Sequence, residues 1–506
     1  MTDHAKPEQL VEELSNAEEI APTKTIDTLH HDEALKVIAR YTGDSDWTEA
    51  EEGKLRRKVD WKLMPILCMT YGLLYYDKAM LGQAALFGLI PDVGLDVGSR
   101  YSFSASIFYL GFIAGAYPAV ALAQRLPIER IASSIVTIWG ICLILSTVCT
   151  NYQGFYAQRF FLGYFESGIS PMFMLIVGMW YKKNEQAMRM GIWYCCTGYV
   201  SVFSPLINYG LGQIHGGVDS WRYMYFFAGG LTITWGILLY FVLPPDPIRA
   251  NGFDERERYI LVARLRSNNS DVRNTHIKMN QVREVLMDIK FWLLAAIAFL
   301  CMIANGPIST FVPLIIKGFG FNTLHSLLLV MPVGAYAGTL MLIFSYLAMK
   351  YPDIRTWLEA IGQLATTFAA VLLWKLPESS KGGLLFACYI LPSVGAGYAV
   401  LMGLQIANTA GYTKRSVASS GLFVGYCLGN FVGPLVFRMQ DAPRYIPGFV
   451  VTTITALVAG ILAIVYRFVC IRNKTQRDKA GISEGFDHAY EDDVTDKKNS
   501  QFRYVL

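Results

Sequence analysis

Long apolar runs follow one another along this chain from residue 61 to residue 470, each near the ~20 residues that carry a helix across ~30 Å of hydrocarbon. Twelve of them lie at about 61–86, 101–124, 128–150, 153–181, 187–213, 221–243, 290–316, 322–349, 354–375, 382–406, 415–438 and 446–470. A soluble chain of 506 residues would be expected to divide into about three domains with ~25% charged residues. This one is 53% hydrophobic and only 17% charged. The expected fold class is therefore an all-α integral membrane protein, with twelve transmembrane helices in two six-helix bundles.

The same composition excludes several functions. A net charge of +4, with no basic patch interleaved with aromatics outside the spans, argues against nucleic acid. The nine cysteines all fall within or at the ends of apolar runs and show no CxxC or metal-ligand spacing, so neither a disulfide framework nor a metal site is expected. The first sixty residues are polar and acidic, which does not suit a cleavable signal peptide. No Walker A sequence supports ATP-driven transport, and no HExxH or GxSxG motif supports an enzyme. No cofactor is expected, an ion gradient being the remaining source of energy.

The longest internal polar stretch, 244–289, separates the sixth and seventh runs. It predicts a tail over 1–60, mostly disordered, a six-helix bundle over 61–243, a central loop over 244–289, a second bundle over 290–471, and a tail over 472–506 that lacks apolar periodicity. Within the loop, DERERYILVARLR (254–266) reads as an amphipathic surface helix with Asp254 as its cap; linker and regulatory roles are equally open. Lysine and arginine crowd the loops that share a side with both tails, Lys182, Lys183, Arg189, Lys350, Arg355, Lys414 and Arg415 among them. By the positive-inside rule that side is cytoplasmic. SPLI (204–207) and GPLV (433–436) occupy matching places six spans apart, a faint sign of halves related by an axis along the membrane normal.

Few ionisable residues fall deep inside the runs: Asp77 and Lys78 in the first, Arg159 and Glu166 in the fourth, Glu359 in the ninth. Each costs ~2.5–3.5 kcal/mol at a helix centre on insertion scales. Glu359 lies close enough to an end to reach the interface or a helix terminus. The other four are expected to meet. The first run rises and the fourth descends, so Asp77 and Arg159 lie about 13 Å and about 9 Å below one surface at ~1.5 Å per residue. Glu166 follows Arg159 by two helical turns on one face. Two carboxylates and two cations facing one cavity can neutralise one another. One reading is a structural ion-pair network that sets helix packing. The other is a coupling site, in which a carboxylate takes up a proton and the freed cation takes an anion. Softer candidates are Tyr75, Tyr76, Tyr109, Trp193 and Tyr426, which can line a cavity, and Asn208, Asn305, Gln405 and Asn430 at or near span ends. For any one of them helix packing is the commoner role.

Residues 157–205, AQRFFLGYFESGISPMFMLIVGMWYKKNEQAMRMGIWYCCTGYVSVFSP, resemble the fourth and fifth spans of fungal transporters in the anion:cation symporter branch of the major facilitator superfamily. YYDKAMLGQAALFGL (75–89), SWRYMYFFAGGLTITWGILLYFVLPPDP (220–247), NGPISTFVPLIIKGFGF (305–321) and NTAGYTKRSVASSGLFVGYCLGNFVGP (408–434) continue the likeness in order. The group it most resembles is that of allantoate permease, whose members carry ureides, nicotinate, pantothenate and other small organic acids. The superfamily's G-x-x-x-D-R-x-G-R-R signature is incomplete here: GAYPAVALAQRLPIER (115–130) lacks its acidic residue.

The resemblance implies proton-coupled uptake of a small organic anion by a monomer in the plasma membrane, with protons as the second partner. Distant bacterial members pair an Asp with a basic residue in the first span, and an Arg with a Glu seven residues on in the fourth. By that likeness Asp77 and Glu166 carry protons, Arg159 adjusts Glu166, and Lys78 attracts the substrate carboxylate. Tyr75, Tyr109, Asn208, Asn305 and Asn430 complete the expected substrate-binding set. Lysine at 78, where arginine is common, cannot supply a bidentate fork. Two other functions remain open on the sequence: a drug/proton antiporter, disfavoured because the fifth span reads GYVSVFSPLINYG (198–210) in place of that class's Gly-Pro string, and a nutrient sensor that transports nothing.

Overall fold

The computed structural model describes residues 41, 46–214, 216–266, 278–480, 495–499 and 502–506. The predicted spans appear as twelve helical segments: α1 Glu49–Ala84, α2 Arg100–Arg125, α3 Ile128–Leu145, α4 in two pieces, Tyr152–Glu166 and Ile169–Trp180, α5 Lys183–Gly212 and α6 Ser220–Val242. After the loop come α7 Ile289–Thr310, α8 as Thr323–Leu328 and Met331–Lys350, α9 Arg355–Lys375, α10 as Lys381–Ile390 and Ser393–Ala407, α11 Tyr412–Leu435 and α12 Ile446–Ala480. Ten are long and apolar enough to cross a membrane by composition alone; the other two are α1 and α11. Both carry charge: Asp77 and Lys78 in α1, and Lys414 and Arg415 in the first turn of α11.

The faint internal repeat becomes explicit in the packing. In the first half α1 packs on α5, α2 on α4 and α3 on α6; six helices later α7 packs on α11, α8 on α10 and α9 on α12. The halves meet where α2 touches α11, α5 touches α8 and α1 touches α7. Small residues set how close these helices come. A methyl group at Gly163 of α4 would overlap the Phe108 carbonyl of α2, and one at Gly111 or Gly115 would overlap carbonyls of α4. Only glycine permits that backbone approach, and it brings Arg159 and Glu166 up against α2.

Two expectations about order need correction. Residues 49–60 belong to α1, which starts well before 61 because Thr48 caps it: the Glu51 amide donates to the Thr48 hydroxyl (3.3 Å) and the Thr48 amide to the Glu51 carboxylate (3.0 Å). The tail over 472–506 is not structureless either. α12 runs to Ala480, and Phe502, Tyr504 and Leu506 are buried in the core of the second half. Polar composition concealed these segments because ion pairs hold them.

The central loop is likewise docked. Its helix Glu255–Arg266 starts one residue after Asp254 and lies on the first half. Arg264, fully buried, reaches Glu52 and Glu185 (both 3.6 Å) and donates to the Trp180 carbonyl (3.2 Å). Arg256 pairs with Glu51 (3.1 Å), and Tyr259 stacks on Tyr41. A second loop helix, Met279–Leu286, lies on the second half through Lys414–Glu284 (2.8 Å).

We call the end of the molecule that carries these loop helices and the last residues the tail end, and the opposite end the far end. At the far end Tyr101 donates to the Thr310 carbonyl (2.9 Å), Ser102 donates to the Phe437 carbonyl, and Phe311 packs on Tyr101 and Phe437. A methyl group at Gly82 would come within 2.8 Å of the Ser309 and Thr310 carbonyls. At the tail end, among the described residues, ion pairs stay within one half or the other. The halves are thus held together at the far end by hydrogen bonds and close backbone approach, whereas at the tail end no ion pair joins them among the described residues.

Candidate functional site

A cavity enclosing about 890 Å³ of empty space, part of it open to solvent, lies between the halves. α1 lines it with Tyr75, Ala79 and Gln83, α5 with Tyr194, Thr197, Gly198 and Ser201, and the second half with Asn305, Tyr398 and Tyr426 among others. Two of its lining residues, Tyr398 and Tyr426, belong to an aromatic cluster that bridges the halves. Tyr109 of α2 meets Tyr426 of α11 with centroids 6.3 Å apart, and Phe112 stacks on Phe423 one turn further on (5.7 Å). Tyr426 in turn packs on Tyr398 (5.4 Å).

The four charges come together, but not as lining of that cavity. Asp77, Arg159 and Glu166 are buried in the first half, Lys78 is nearly so, and none of the four is among the residues that line the cavity. Lys78 is 12% exposed and forms an ion pair with the fully buried Glu166, Nζ to Oε1 3.2 Å. Its ammonium lies 5.1 Å from the Phe112 ring centroid, 5.5 Å from Phe108 and 5.9 Å from Tyr75, a box of negative π faces that suits a cation. Arg159 lies over Phe108 and donates through Nε to the Ser104 carbonyl (3.3 Å), with one guanidinium nitrogen left unpartnered. Asp77 interacts with Glu166, Trp139 and Arg159. Consecutive residues on a helix diverge by about 100°, so Lys78 meets the Tyr75 and Phe112 rings while Asp77 meets Trp139, and both lie close to Glu166.

The four charges, expected to face one cavity, instead cluster beside it, and Tyr75 of α1 is the lining residue that also touches the cluster. Tyr75 is the hinge of the arrangement, since its ring belongs both to the cavity wall and to the box around Lys78.

The asparagines divide similarly. Asn305 lines the cavity and donates to Asn430 (3.2 Å), which is buried behind it and anchored to the Tyr426 carbonyl (2.9 Å). Asn208 does not reach the cavity; it accepts from Tyr76 (2.9 Å) and donates to Gln83 (2.5 Å), whose amide donates to Ser204 (2.7 Å). Asn208 therefore positions Gln83. Substituting Asn208 by alanine leaves the Gln83 carbonyl without its donor and Ser204 as its remaining anchor, and substrate KM should rise several-fold with little change in kcat; an unchanged KM would remove Gln83 from the binding surface.

Sequence reasoning missed Gln83, Tyr194 and Tyr398 as lining residues, since helical phase alone does not say which face looks into the cleft. Tyr75, Ala79 and Gln83 recur every fourth residue, which was the available signal. Glu359 does not reach an interface. It is buried in the second half, takes a bond from Gln363 (2.9 Å) and from the Cys301 thiol (3.3 Å), and presses an oxygen against Gly397.

Two pseudo-equivalent six-helix bundles around a central cavity, with buried charges beside it, define a secondary-transporter architecture. The model of the Major Facilitator Superfamily matches residues 67–434. The chain belongs to that superfamily, and its relatives are transporters rather than enzymes. It is 30% identical to the allantoate permease of Saccharomyces cerevisiae over 94% of this chain and 90% of that one. It is 31% identical to that organism's thiamine pathway transporter THI73, over 89% and 86%. Among solved structures it resembles the D-xylose-proton symporter, with a TM-score of 0.61 at 13% identity over 79% of this chain and 96% of that one, a likeness of fold. The similarity to the fungal allantoate permease group thus extends along nearly the whole chain.

Proposed function

We propose that this transporter imports a small organic anion, an allantoate-like ureide or a vitamin-like carboxylate such as nicotinate, together with protons. The observation that carries the reading is the 3.2 Å pair between Lys78 and Glu166, one helical turn from the Tyr75 wall of the cavity. A carboxylate with no water around it is costly to keep charged unless a cation stays beside it. When a proton reaches Glu166, Lys78 loses its partner, and a substrate carboxylate entering past Tyr75 restores local neutrality. Proton and anion then travel as one neutral set, and the pair re-forms once both have left. Asp77 and Arg159 serve as the second carboxylate and cation of the same cluster, Asp77 exchanging protons and Arg159 holding the charge balance around Glu166. We take the tail end to be cytoplasmic from lysine and arginine placement, which puts the far-end closure on the outer side. We place the cycle in the plasma membrane, and nothing in it requires more than one copy.

The test is uptake of labelled allantoate and nicotinate into proteoliposomes, with and without an inward proton gradient, backed by growth of a transporter-null yeast on single nitrogen or vitamin sources. Accumulation that follows the gradient is expected. Uptake that is indifferent to an imposed pH difference would remove proton coupling from the proposal.

A further inference from the structure

The last described residues form a built contact at the tail end of the second half. Asp496 is fully buried and inserts its carboxylate between Lys290 at the start of α7 (2.9 Å) and Lys414 at the start of α11 (2.7 Å). Tyr504 donates to the same carboxylate (2.8 Å) and lays its ring under the Lys290 ammonium, 3.7 Å from the centroid. Arg477 of α12 donates to the main-chain carbonyls of Asp496 (2.6 Å) and Phe502 (2.7 Å). Val505 and Asn408, at the end of α10, exchange two hydrogen bonds (2.7 and 2.8 Å), and the Arg355 amide that opens α9 donates to the Leu506 carbonyl (2.8 Å). One short segment thereby ties together the tail-end turns of α7, α9, α10, α11 and α12.

The charge is matched as well as the shape. Lys290, Lys414 and Lys497 face Glu284, Asp288 and Asp496, and each ammonium lies within 4 Å of at least one carboxylate. Burial works against the Asp496 carboxylate, but Lys290 and Lys414 outweigh it and hold its pKa below the usual value. The contribution of this pair to docking is therefore present above the ordinary carboxylate range and fades only as pH falls through that lowered value. A cavity of about 390 Å³ adjoins the pair, and a buried Gln405 amide nitrogen without a partner is among the groups that line it.

Position gives the contact its consequence. Among the described residues the segment touches the second half, and it lies on the turn between α10 and α11, where Thr495 crowds Gly411. α11 is also the helix that meets α2 through Phe423 and Tyr426. In an alternating-access cycle, closing the tail end would bring the first half toward that turn, where the docked segment would stand in its way. A contact present in only one of two states shifts the population toward it.

We infer that residues 495–499 and 502–506 act as an intramolecular brake: a carboxylate site built from Lys290 and Lys414, occupied by the chain's own Asp496, that disfavours closure of the halves at the tail end. The inference does not depend on the substrate. It is tested in nanodiscs by spin-label distances between Leu126→Cys and Met349→Cys, two exposed positions at the tail ends of opposite halves, with Cys68, Cys149 and Cys196 replaced by serine. Deletion of 495–506, and Asp496→Asn in the full chain, should each raise the short-distance population about threefold or more. Asp496→Glu should largely keep the original distribution, and a synthetic peptide of residues 495–506 should restore it to the deleted protein. Thermal unfolding of each variant is recorded alongside. Identical distance distributions with and without the segment would overturn the inference. So would a fall in melting temperature with no change in distribution, which would make the segment a structural staple.

Discussion

Glu166→Gln should yield a carrier that still exchanges substrate across the membrane but no longer concentrates it against a gradient. Glutamine preserves the shape of the side chain and permanently imitates the protonated acid. Lys78 then has no competing carboxylate at 3.2 Å, so the substrate anion keeps its partner in every state. Proton-driven accumulation is expected to fall at least about tenfold, the loss that follows from removing even ~1.4 kcal/mol of coupling, while counterflow between equal pools persists. Asp77→Asn should reduce gradient-driven uptake less, because the described residues show no ion pair between Asp77 and Lys78. Full accumulation by the Glu166→Gln variant would assign proton coupling elsewhere, with Asp77 and Glu359, both buried deep within the spans, as the next carboxylates to test.

Lys78→Met should be the most destabilising single change in the cluster. It leaves Glu166 charged, fully buried and without the cation that compensates it, a situation that typically costs ~3–5 kcal/mol. The double variant Lys78→Met/Glu166→Gln removes both charges and should regain most of that loss, since a neutral pair of similar volume has no desolvation penalty to offset. Thermal unfolding in nanodiscs of the two single variants, the double variant and the parent forms a closed cycle. A coupling energy near zero would mean that Lys78 and Glu166 do not sense each other, and the symport scheme would lose its basis. Neither the single nor the double variant should accumulate substrate, because stability returns with neutrality whereas the anion-binding cation does not.

These outcomes rest on features that were visible to different degrees before folding. The twelve spans were legible because hydrocarbon imposes a length and a polarity that side chains either meet or do not. Charge in the first span was legible for the converse reason: Asp77 and Lys78 violate that rule in TYGLLYYDKAMLGQ. The pairing of the first and fourth spans followed from depth arithmetic. Which cation pairs with which carboxylate did not. Lys78 reaches Glu166 because α2 and α4 touch through Gly111, Gly115 and Gly163, and no spacing within one helix announces a contact between two.

Segments classed by composition fared worst. Residues 49–60 and 495–506 are polar, yet the first continues α1 under a capping box and the second is anchored by Asp496, Tyr504 and Leu506. A polar composition cannot bury enough apolar surface to order itself. It can still be ordered by a partner surface that supplies ion pairs, and such a surface exists only after the bundle has folded.

The amino-acid sequence by itself determined the membrane class, the six-plus-six division and the chemical identity of the four buried charges. All of these are local consequences of hydropathy and of the cost of charge in lipid. Tertiary structure decided which residues face the cavity, that Tyr75 touches both it and the charge cluster, and that Asp496 closes on Lys290 and Lys414. Those facts depend on the rotation and approach of helices far apart in the chain, which close packing of small residues sets and span-by-span reading does not.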